Sequence, residues 1–435
     1  MLVRATGLVC LSLAATAVSF GLAACGDDED QEAPGEVELD LVVGDSVPLT
    51  GELEAFGPPG QKAANLAVAQ IRQATRKGDA KHRVEVVHED NESNPRVAVR
   101  VARRMIEDDG ATCLAGPWGP RESAQTFEST SSRERVLQII PTSVGDALGD
   151  PDDPDGLLNY AALSSAPQGP ALADYVAQEL DGAEGVTVNV GARDDAYGTG
   201  IAEGFRIAWE DKGGTVGQEV LYDPERSEYE SEANEIVSGN PEAFIIVDLP
   251  DTYDKVGPAL IRTEKWDPKK TFVADGLVAT ELPSMVGEEA TEGIRATAPG
   301  APDTGPAATA FDRAYREAEL KTLERQTFDA QNFDAVILCY LAAVAAGSTE
   351  GSEMAAHVPD ITSPPGEKLT WEQLPDAIRA LQSGKQIDYV GASGAIDMDE
   401  EGNATAGVYD IYRYRGGELE LADEISARAE PESAE

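Results

Sequence analysis

The feature of this 435-residue chain that most constrains its fold is a repeated alternation of short apolar runs with helical segments. The strand-length runs lie at 39–43, 84–87, 113–115, 136–140, 186–190 and 244–247. Strands that alternate with helices predict βαβ units and parallel sheets. Because the pattern starts again near residue 186, we predict an α/β fold of two lobes, each built on a doubly wound parallel sheet.

Helical periodicity supports the same architecture. A helix is predicted over 59–71, and Asn94-Pro95 supplies the N-cap and first-turn proline of a second helix. Val97, Val101 and Met105 recur on one face of that second helix. Further helices are predicted at 197–209, 307–320 and 333–346. In open parallel sheets ligands bind beyond the carboxyl ends of the strands, so the loops after the strands are the candidate site.

The first 25 residues are organised like a bacterial lipoprotein signal. Arg4 precedes an apolar stretch over 8–22, and Leu22-Ala23-Ala24-Cys25 resembles a lipobox, whose cysteine receives a diacylglyceryl group. We predict a signal peptide over 1–24, lipidation of Cys25 and an acidic, flexible tether over 25–37. An ordinary signal peptide with an incidental cysteine is the alternative. Lipidation would hold the protein outside the cytoplasm on a bacterial membrane, in the periplasm or at the cell surface.

The charge of the chain is strongly negative. It has 80 acidic residues against 34 Lys and Arg, a formal net charge of −46. This charge repels phosphate backbones, so nucleic acid is excluded as a partner. The end of the chain, 417–435, is an acidic tail that resembles the tether, and flexibility is predicted from about Leu421. No apolar run after residue 25 reaches membrane-spanning length, and 335–346 is predicted to be a buried helix.

Two cysteines, Cys113 and Cys339, lie outside the predicted signal and lipidation site. An exported compartment permits a disulfide between them. We favour two separate buried thiols, since each cysteine lies in an apolar run with the composition of a core segment.

Motifs for common catalytic and cofactor chemistry are missing from the sequence, which has no GxGxxG, Walker loop, HExxH or CxxC. Gly44-Asp45-Ser46, after a strand, resembles the nucleophile block of GDSL-type hydrolases. Those enzymes also need Asp-x-x-His near the C-terminus, and the last histidine, His357, has Met354 in place of that aspartate. The acidic loop at 397–402 begins like a calcium loop but has Val408 at its twelfth position. We therefore expect no enzyme activity, no cofactor and no metal site.

Seven short blocks follow one another along residues 38–415. They are Val43-Gly44…Pro48-Leu49-Thr50-Gly51…Phe56-Gly57, His88-Glu89-Asp90…Asn94-Pro95, Leu114-Ala115-Gly116-Pro117, Ile139-Ile140-Pro141…Leu148, Asp195-Ala196-Tyr197-Gly198, Phe333-Asp334-Ala335 and Tyr389…Gly394-Ala395-Ile396-Asp397…Gly402. In this order the blocks resemble type I periplasmic binding proteins, in particular the leucine and branched-chain amino-acid receptors of ABC importers.

The resemblance implies a fold in which the chain crosses between the lobes three times, near 158–163, 296–300 and 390–396. Lobe one would then comprise 38–160 with 299–390. Lobe two would comprise 161–298 with 391–416. In such a fold the ligand lies in the cleft, and the lobes close around it by a hinge motion.

Ligand-binding residues also follow from the resemblance. Thr142, Ser143 and Val144, after the fourth strand, would hold the carboxylate and amine of an amino acid. Val144 departs from the family, which often has a hydroxyl residue at this position. The loop after the third strand has Pro120 where the family usually has a serine.

Aromatic and acidic residues complete the predicted pocket. Tyr197 matches a tyrosine that closes over the ligand, and Asp275 matches the acid that binds the ammonium group. A structural aromatic residue at a helix start and a turn aspartate are the respective alternatives. Phe56 matches an aromatic residue beside the ligand side chain. Trp118 is our own addition, because a tryptophan between Pro and Gly at the carboxyl end of a strand suits a pocket wall.

The loop after a further second-lobe strand offers Asp248 and Tyr253 as looser candidates. The resemblance as a whole implies a solute-binding lipoprotein that captures a small polar ligand, above all an amino acid, and delivers it to an ABC permease complex. A sensor that feeds a membrane signalling receptor and a binder of amides, urea or aromatic acids are the alternatives. A hydrolase based on Ser46 is the third.

Overall fold

The computed structural model describes residues 38–142, 153–162, 168–300, 306–399 and 402–428, which belong to one compact unit. The predicted signal peptide and tether, with Cys25, lie outside the described residues, as do Ser143 and Val144. Across the described part of the chain, no helix is both long and apolar enough to cross a membrane.

The first sheet has five parallel strands: β1 (Leu39–Val47), β2 (His82–Asp90), β3 (Cys113–Ala115), β4 (Leu137–Ile140) and β5 (Leu158–Tyr160). Their spatial order is β2–β1–β3–β4–β5. The apolar runs predicted at 39–43, 84–87, 113–115 and 136–140 all fall on these strands. β5 was not predicted, because the run Leu158-Asn159-Tyr160 contains a polar residue and 158–163 was expected to be a crossing between the lobes.

Helices α1 (Gly57–Gly78), α2 (Pro95–Glu107), α3 (Pro120–Thr126) and α4 (Ser132–Glu134) connect these strands. The Asn94 side chain accepts hydrogen bonds from the backbone N–H groups of Arg96 and Val97, which confirms the predicted N-cap of α2. The predicted buried face of α2 is confirmed as well, because Val97, Val101 and Met105 are all buried. A π-helical turn, Phe127–Ser131, joins α3 to α4.

The second sheet begins with five parallel strands: β6 (Thr187–Arg193), β7 (Thr215–Tyr222), β8 (Ala243–Val247), β9 (Thr271–Val273) and β10 (Arg295–Pro299). The accompanying helices are α5 (Gln168–Glu179), α6 (Ala196–Asp211), α7 (Glu230–Ile236), α8 (Pro250–Arg262), α9 (Leu282–Val286) and α10 (Glu288–Thr291). This second run of β and α elements confirms that the pattern restarts near residue 186.

After β10 the chain returns to the first sheet with α11 (Pro306–Glu317), α12 (Asp329–Ala346), α13 (Gly351–Ala355), α14 (Val358–Thr362) and α15 (Leu374–Gln382). A small third sheet lies among them: β11 (Glu367–Thr370), β12 (Ile387–Gly391) and β13 (Gly394–Ala395). Side chains of α1, α11, α12 and α15 share one hydrophobic core with the strands of the first sheet. The chain then leaves again for the second sheet.

The last two strands, β14 (Ala406–Arg415) and β15 (Glu418–Arg428), extend the second sheet in the order β15–β14–β10–β9–β8–β6–β7. They form an antiparallel hairpin that pairs along its whole length. The flexible tail predicted from about Leu421 is therefore wrong as far as Arg428, because backbone pairing fixes an acidic segment that composition alone makes look disordered. The fold class is confirmed: the chain passes three times between two α/β sheets, the first parallel and the second parallel except for this hairpin.

Cys113 and Cys339 form a disulfide, so the prediction of two separate thiols is wrong. Each cysteine does lie in the core, as its apolar run indicated. The bond joins β3 to α12, and the two residues are 226 positions apart in sequence. A pairing between such distant positions depends on how α12 packs on the sheet, which the local sequence does not encode.

Asp334 on α12 fixes the segment through which the chain leaves the first lobe. Its Oδ1 accepts hydrogen bonds from the Tyr389 hydroxyl (2.8 Å) and the Ala392 N–H (2.8 Å). Its Oδ2 accepts from the Ser393 N–H (2.7 Å) and hydroxyl (2.6 Å). Burial raises the pKa of Asp334 to about 6, although these four donors act in the opposite direction. Asp334 therefore anchors 389–393, next to the third crossing.

We predict that Asp334→Asn lowers the free energy of unfolding by about 2–4 kcal/mol at pH 7, because an amide NH2 would face the buried donors of Ser393. Urea denaturation measures the change. Asp376→Asn, at an exposed position of the same lobe, is the matched control and should change stability by less than about 0.5 kcal/mol. Equal effects of the two variants would contradict the anchoring role.

Candidate functional site

A pocket that is partly open to solvent lies where loops of the two sheets meet. Loops after β1, β3 and β4 form one side of it, and loops after β6, β8 and β9 form the other. These are carboxyl ends of parallel strands, where α/β sheets bind ligands. Five of the predicted site residues line this pocket: Phe56, Trp118, Thr142, Tyr197 and Asp275.

Tyr197 and Asp275 are in direct contact. The Tyr197 hydroxyl donates a hydrogen bond to Asp275 Oδ1 (2.6 Å) and accepts one from the Gly276 N–H (2.9 Å). Asp195 caps α6 by accepting a hydrogen bond from the Gly198 N–H, and this fixes the helical turn that carries Tyr197. A Cβ at position 276 would lie only 2.7 Å from the Tyr197 hydroxyl, so this close approach requires glycine.

Asp275 is a buried carboxyl group, with 3% of its surface exposed. Burial raises the pKa of Asp275 above its usual value, and hydrogen bonds from Tyr197 and Gln168 offset part of the rise. A carboxylate in this position is stabilised by any cation that enters the pocket.

Aromatic rings form the apolar wall of the pocket. Trp118 and Phe328 pack edge to face with their ring centroids 6.4 Å apart. The indole of Trp118 lies directly over Gly60, where any Cβ would overlap the ring. Phe328 precedes α12 with a φ of +71°, a left-handed conformation that is rare for a bulky residue. Phe328 was not predicted as a pocket residue, because nothing in the neighbouring sequence indicates this conformation.

Thr142 supports Trp118, since its hydroxyl donates a hydrogen bond to the Trp118 carbonyl oxygen (2.6 Å). That hydroxyl is therefore already hydrogen-bonded. It has no second proton to donate to a ligand carboxylate, which is the role that the resemblance implied. The indole Nε1 of Trp118, in contrast, is buried without a hydrogen-bond partner.

Asp248 does not line the pocket. It is fully buried, accepts a hydrogen bond from the Tyr222 hydroxyl (2.9 Å), and its Oδ1 accepts one from the Leu249 N–H. Burial raises the pKa of Asp248 to about 8, while the nearby Arg193 guanidinium acts to lower it. Tyr253 is also fully buried, and its hydroxyl has no hydrogen-bond partner. Both residues thus lie behind the pocket wall instead of facing the ligand space.

Arg193, at the end of β6, is a pocket residue that the sequence analysis missed. Only 1% of its side chain is exposed, and it forms ion pairs with Asp195 (2.6 Å), Glu52 (2.9 Å) and Asp251 (3.7 Å). Burial alone would lower the pKa of Arg193, but the carboxylates of Asp195, Glu52 and Asp248 raise it above its usual value. Because Glu52 follows β1, this guanidinium links the two sides of the pocket.

Glu122, in the first turn of α3, is a second missed pocket residue. Its surface is only 7% exposed, and burial raises its pKa. Within the described ranges, neither Glu122 nor Asp275 takes part in an ion pair. Its position could have indicated it, since Glu122 follows the third strand closely, where a polar ligand-binding residue was expected.

Ser46, the nucleophile of the hydrolase alternative, is fully buried and accepts a hydrogen bond from the Asn91 amide. It does not line the pocket. No group of three or more His, Cys, Asp or Glu suited to a metal ion occurs among the residues that the structure describes.

Comparison with known proteins agrees with this architecture. A family model described as periplasmic binding protein matches residues 41–418. The Leu/Ile/Val-binding protein homolog 3 of Brucella melitensis is 25% identical over 387 residues, which cover 87% of this chain and 93% of the relative. The chemotactic signal transduction system substrate-binding protein BasB of Halobacterium salinarum is 23% identical over 372 residues, with coverages of 82% and 83%.

Among solved structures, the branched-chain amino acid transporter substrate-binding protein LivJ of Streptococcus pneumoniae, in complex with isoleucine, superposes with a TM-score of 0.71. The two sequences are 20% identical, and the match covers 90% of this chain and 100% of that one. The chain belongs to the periplasmic binding protein family, so the family resemblance is confirmed, and the structural match supports its type I fold. Membership implies a location outside the cytoplasm and the binding of a small molecule.

We predict that Asp248→Asn stabilises the protein increasingly as pH rises from 5 to 8. A carboxyl whose folded-state pKa is near 8, against an ordinary 3.8, keeps its proton in the folded state after the unfolded chain has lost it. The stability that this group contributes is therefore present at low pH and lost as pH rises through 8, and asparagine does not titrate.

Differential scanning calorimetry across this pH range should show the Tm of the variant gaining on that of the wild type. Asp254→Asn, at an exposed position of the same lobe, should give a difference that does not change with pH. A constant difference between Asp248→Asn and the wild type would show that Asp248 does not titrate in this range.

Proposed function

We propose that this protein captures a small amine-bearing ligand, in the first place an amino acid, in the cleft and delivers it to an ABC import permease. The observation that carries the proposal is the buried Tyr197–Asp275 pair in a pocket between the two sheets that also has aromatic walls. A buried carboxylate oriented by a tyrosine hydroxyl suits an ammonium group. The rings of Phe56, Trp118 and Phe328 suit the apolar part of a ligand.

Closure of the cleft is the second part of the proposal. Lobe one (38–160 and 299–390) and lobe two (161–298 and 391–416) would move as two bodies about the three crossings. The Arg193–Glu52 ion pair joins residues from the two sides of the cleft, as expected of a contact that forms on closure. Tyr197 and Asp275 would then reach the ligand from lobe two, with Phe56, Trp118 and Thr142 on lobe one. Roles for Ser143 and Val144 stay predictions.

Membrane attachment through Cys25 completes the proposed mechanism. A binding protein without catalytic groups acts by presenting its ligand to a partner, and a diacylglyceryl anchor with the short tether over 25–37 would keep it beside a permease. A sensor role is the second candidate, since a relative of similar length, BasB, is named as part of a chemotactic signal transduction system. The shared fold does not distinguish import from sensing.

Ligand screening tests the binding proposal. We expect amino acids to raise the Tm of the protein by mass action, and amides, urea and benzoate to raise it less. Asp275→Ala should weaken amino-acid binding by about 1.5–3 kcal/mol, the usual contribution of a hydrogen bond to a charged group. Asp254→Ala, which removes an exposed carboxylate of the same lobe, is the control and should bind as the wild type does.

Calorimetric titration of both variants with the best amino acid measures the difference. Unchanged affinity in Asp275→Ala would remove the ammonium role, and a preference for benzoate over every amino acid would overturn the proposed ligand class.

Cell fractionation tests the anchor. We expect Cys25→Ser to release the protein from membranes while its ligand affinity stays the same, since the anchor and the cleft would act independently. Cys10→Ser, within the predicted signal peptide, is the matched control and should leave the protein on the membrane. Membrane retention of Cys25→Ser would rule out lipid attachment at this residue.

A further inference from the structure

Two buried carboxyl groups reach the pocket without a cationic partner. Glu122 is 7% exposed and Asp275 is 3% exposed, and both line the pocket, one from each of its sides. In the described part of the chain neither forms an ion pair, although buried charges in proteins are normally paired. Asp275 accepts a hydrogen bond from the Tyr197 hydroxyl, whereas no other side chain among the described residues donates one to Glu122.

The two arginines that line the pocket do not provide Glu122 and Asp275 with a cationic partner. Arg193 is already shared among three carboxylates, and Arg121 is exposed at the rim. Four carboxyl and two guanidinium groups leave the lining with a formal charge of −2: Glu52, Glu122, Asp195, Asp275, Arg121 and Arg193. Each of the two carboxylates without a cationic partner, Glu122 and Asp275, can pair with one cationic nitrogen of a ligand.

We propose that the ligand carries two cationic nitrogens, one bound by Asp275 and the other by Glu122, as in a basic amino acid or a diamine. This inference rests on the proposed function and narrows its ligand class. The aromatic wall supports it, because the faces of Trp118, Phe328 and Phe56 attract cations that have lost water. Glu122 thus becomes the residue that determines specificity.

Two buried hydrogen-bond donors favour a basic amino acid over a diamine as the ligand. Among the described residues, Trp118 Nε1 and Arg193 Nη1 are buried pocket-lining donors without a hydrogen bond, although Asp251 Oδ1 lies 3.7 Å from Nη1 as an ion-pair partner. The carboxylate of a basic amino acid would accept hydrogen bonds from these donors, and a diamine would leave them unpaired. A buried donor left unpaired weakens binding, so we favour the basic amino acid.

Calorimetric titration of the full-length chain with L-lysine, L-ornithine, putrescine, L-isoleucine and benzoate tests this inference. We expect lysine or ornithine to bind at least tenfold more tightly than isoleucine. Glu122→Gln should lower the affinity for the dicationic ligands at least tenfold and the affinity for isoleucine less than threefold. Glu122→Asp, which keeps the charge, should preserve the preference. Glu128→Gln removes an exposed carboxylate of the adjoining π-helical turn and should change nothing.

The outcomes separate this inference from the proposed function. Tighter binding of isoleucine than of every dicationic compound would overturn the inference and leave the amino-acid receptor intact. Equal losses for all ligands in Glu122→Gln would assign Glu122 to structure and overturn its role in specificity. Binding of benzoate alone would overturn both proposals. Tighter binding of putrescine than of lysine and ornithine would support the dicationic ligand and identify it as a diamine.

Discussion

The nearly complete burial of α12 is the constraint on which the first lobe depends. Sixteen of its 18 residues are buried, so the helix has no polar face to turn to solvent and must be covered on every side. The first sheet, α1 and α15 provide that cover. Three specific contacts then fix the helix: the disulfide to β3, the Asn332–Asp45 hydrogen bond (3.2 Å), and the acceptance by Asp334 of four donors from 389–393. The same helix starts directly after Phe328, and its burial therefore positions one wall of the pocket.

Both lobes contribute charged residues to the cleft, and one buried guanidinium of the second lobe organises most of them. Arg193 collects the carboxylates of Asp195, Glu52 and Asp251, because a buried cation needs compensation from several sides. Glu122 and Asp275 are left facing the ligand space. Some acidic residues of the pocket are paired with Arg193, whereas Glu122 and Asp275 are not. The unpaired acids give the pocket a preference for cationic ligands that its aromatic walls alone would not provide.

Fold and site were predictable from the sequence to different extents. The apolar runs at 39–43, 113–115 and 244–247 identify strands because core strands of parallel sheets are continuously hydrophobic. β15 was not predicted, since an acidic edge strand has the composition of a disordered tail and only its pairing with β14 orders it. The Cys113–Cys339 disulfide was not predicted either, because both segments look like ordinary core segments in the sequence and only the packing of the helix on the sheet brings the cysteines together.

The site residues, too, could be predicted from the sequence only in part. Tyr197 and Asp275 were identified individually from family blocks, but their 2.6 Å contact depends on the close approach permitted by Gly276. Asp248 was expected at the pocket because it follows a strand. The side chain instead turns toward Tyr222, a choice that the strand position does not determine. Burial distinguishes Glu122 and Arg193 from the many other charged residues of this acidic chain, and burial is a property of the assembled lobes.

The ion pair between Glu52 and Arg193 also affects the receptor before any ligand arrives. If the pair forms only when the lobes approach, it stabilises the shut conformation of the empty protein, by about 1 kcal/mol for a partly exposed acid. That amount shifts the ratio of shut to open molecules about fivefold. Fewer empty molecules would then be ready to admit a ligand, but each one that does so needs less binding energy to stay shut. The ion pair thus slows the capture of a ligand and strengthens its retention.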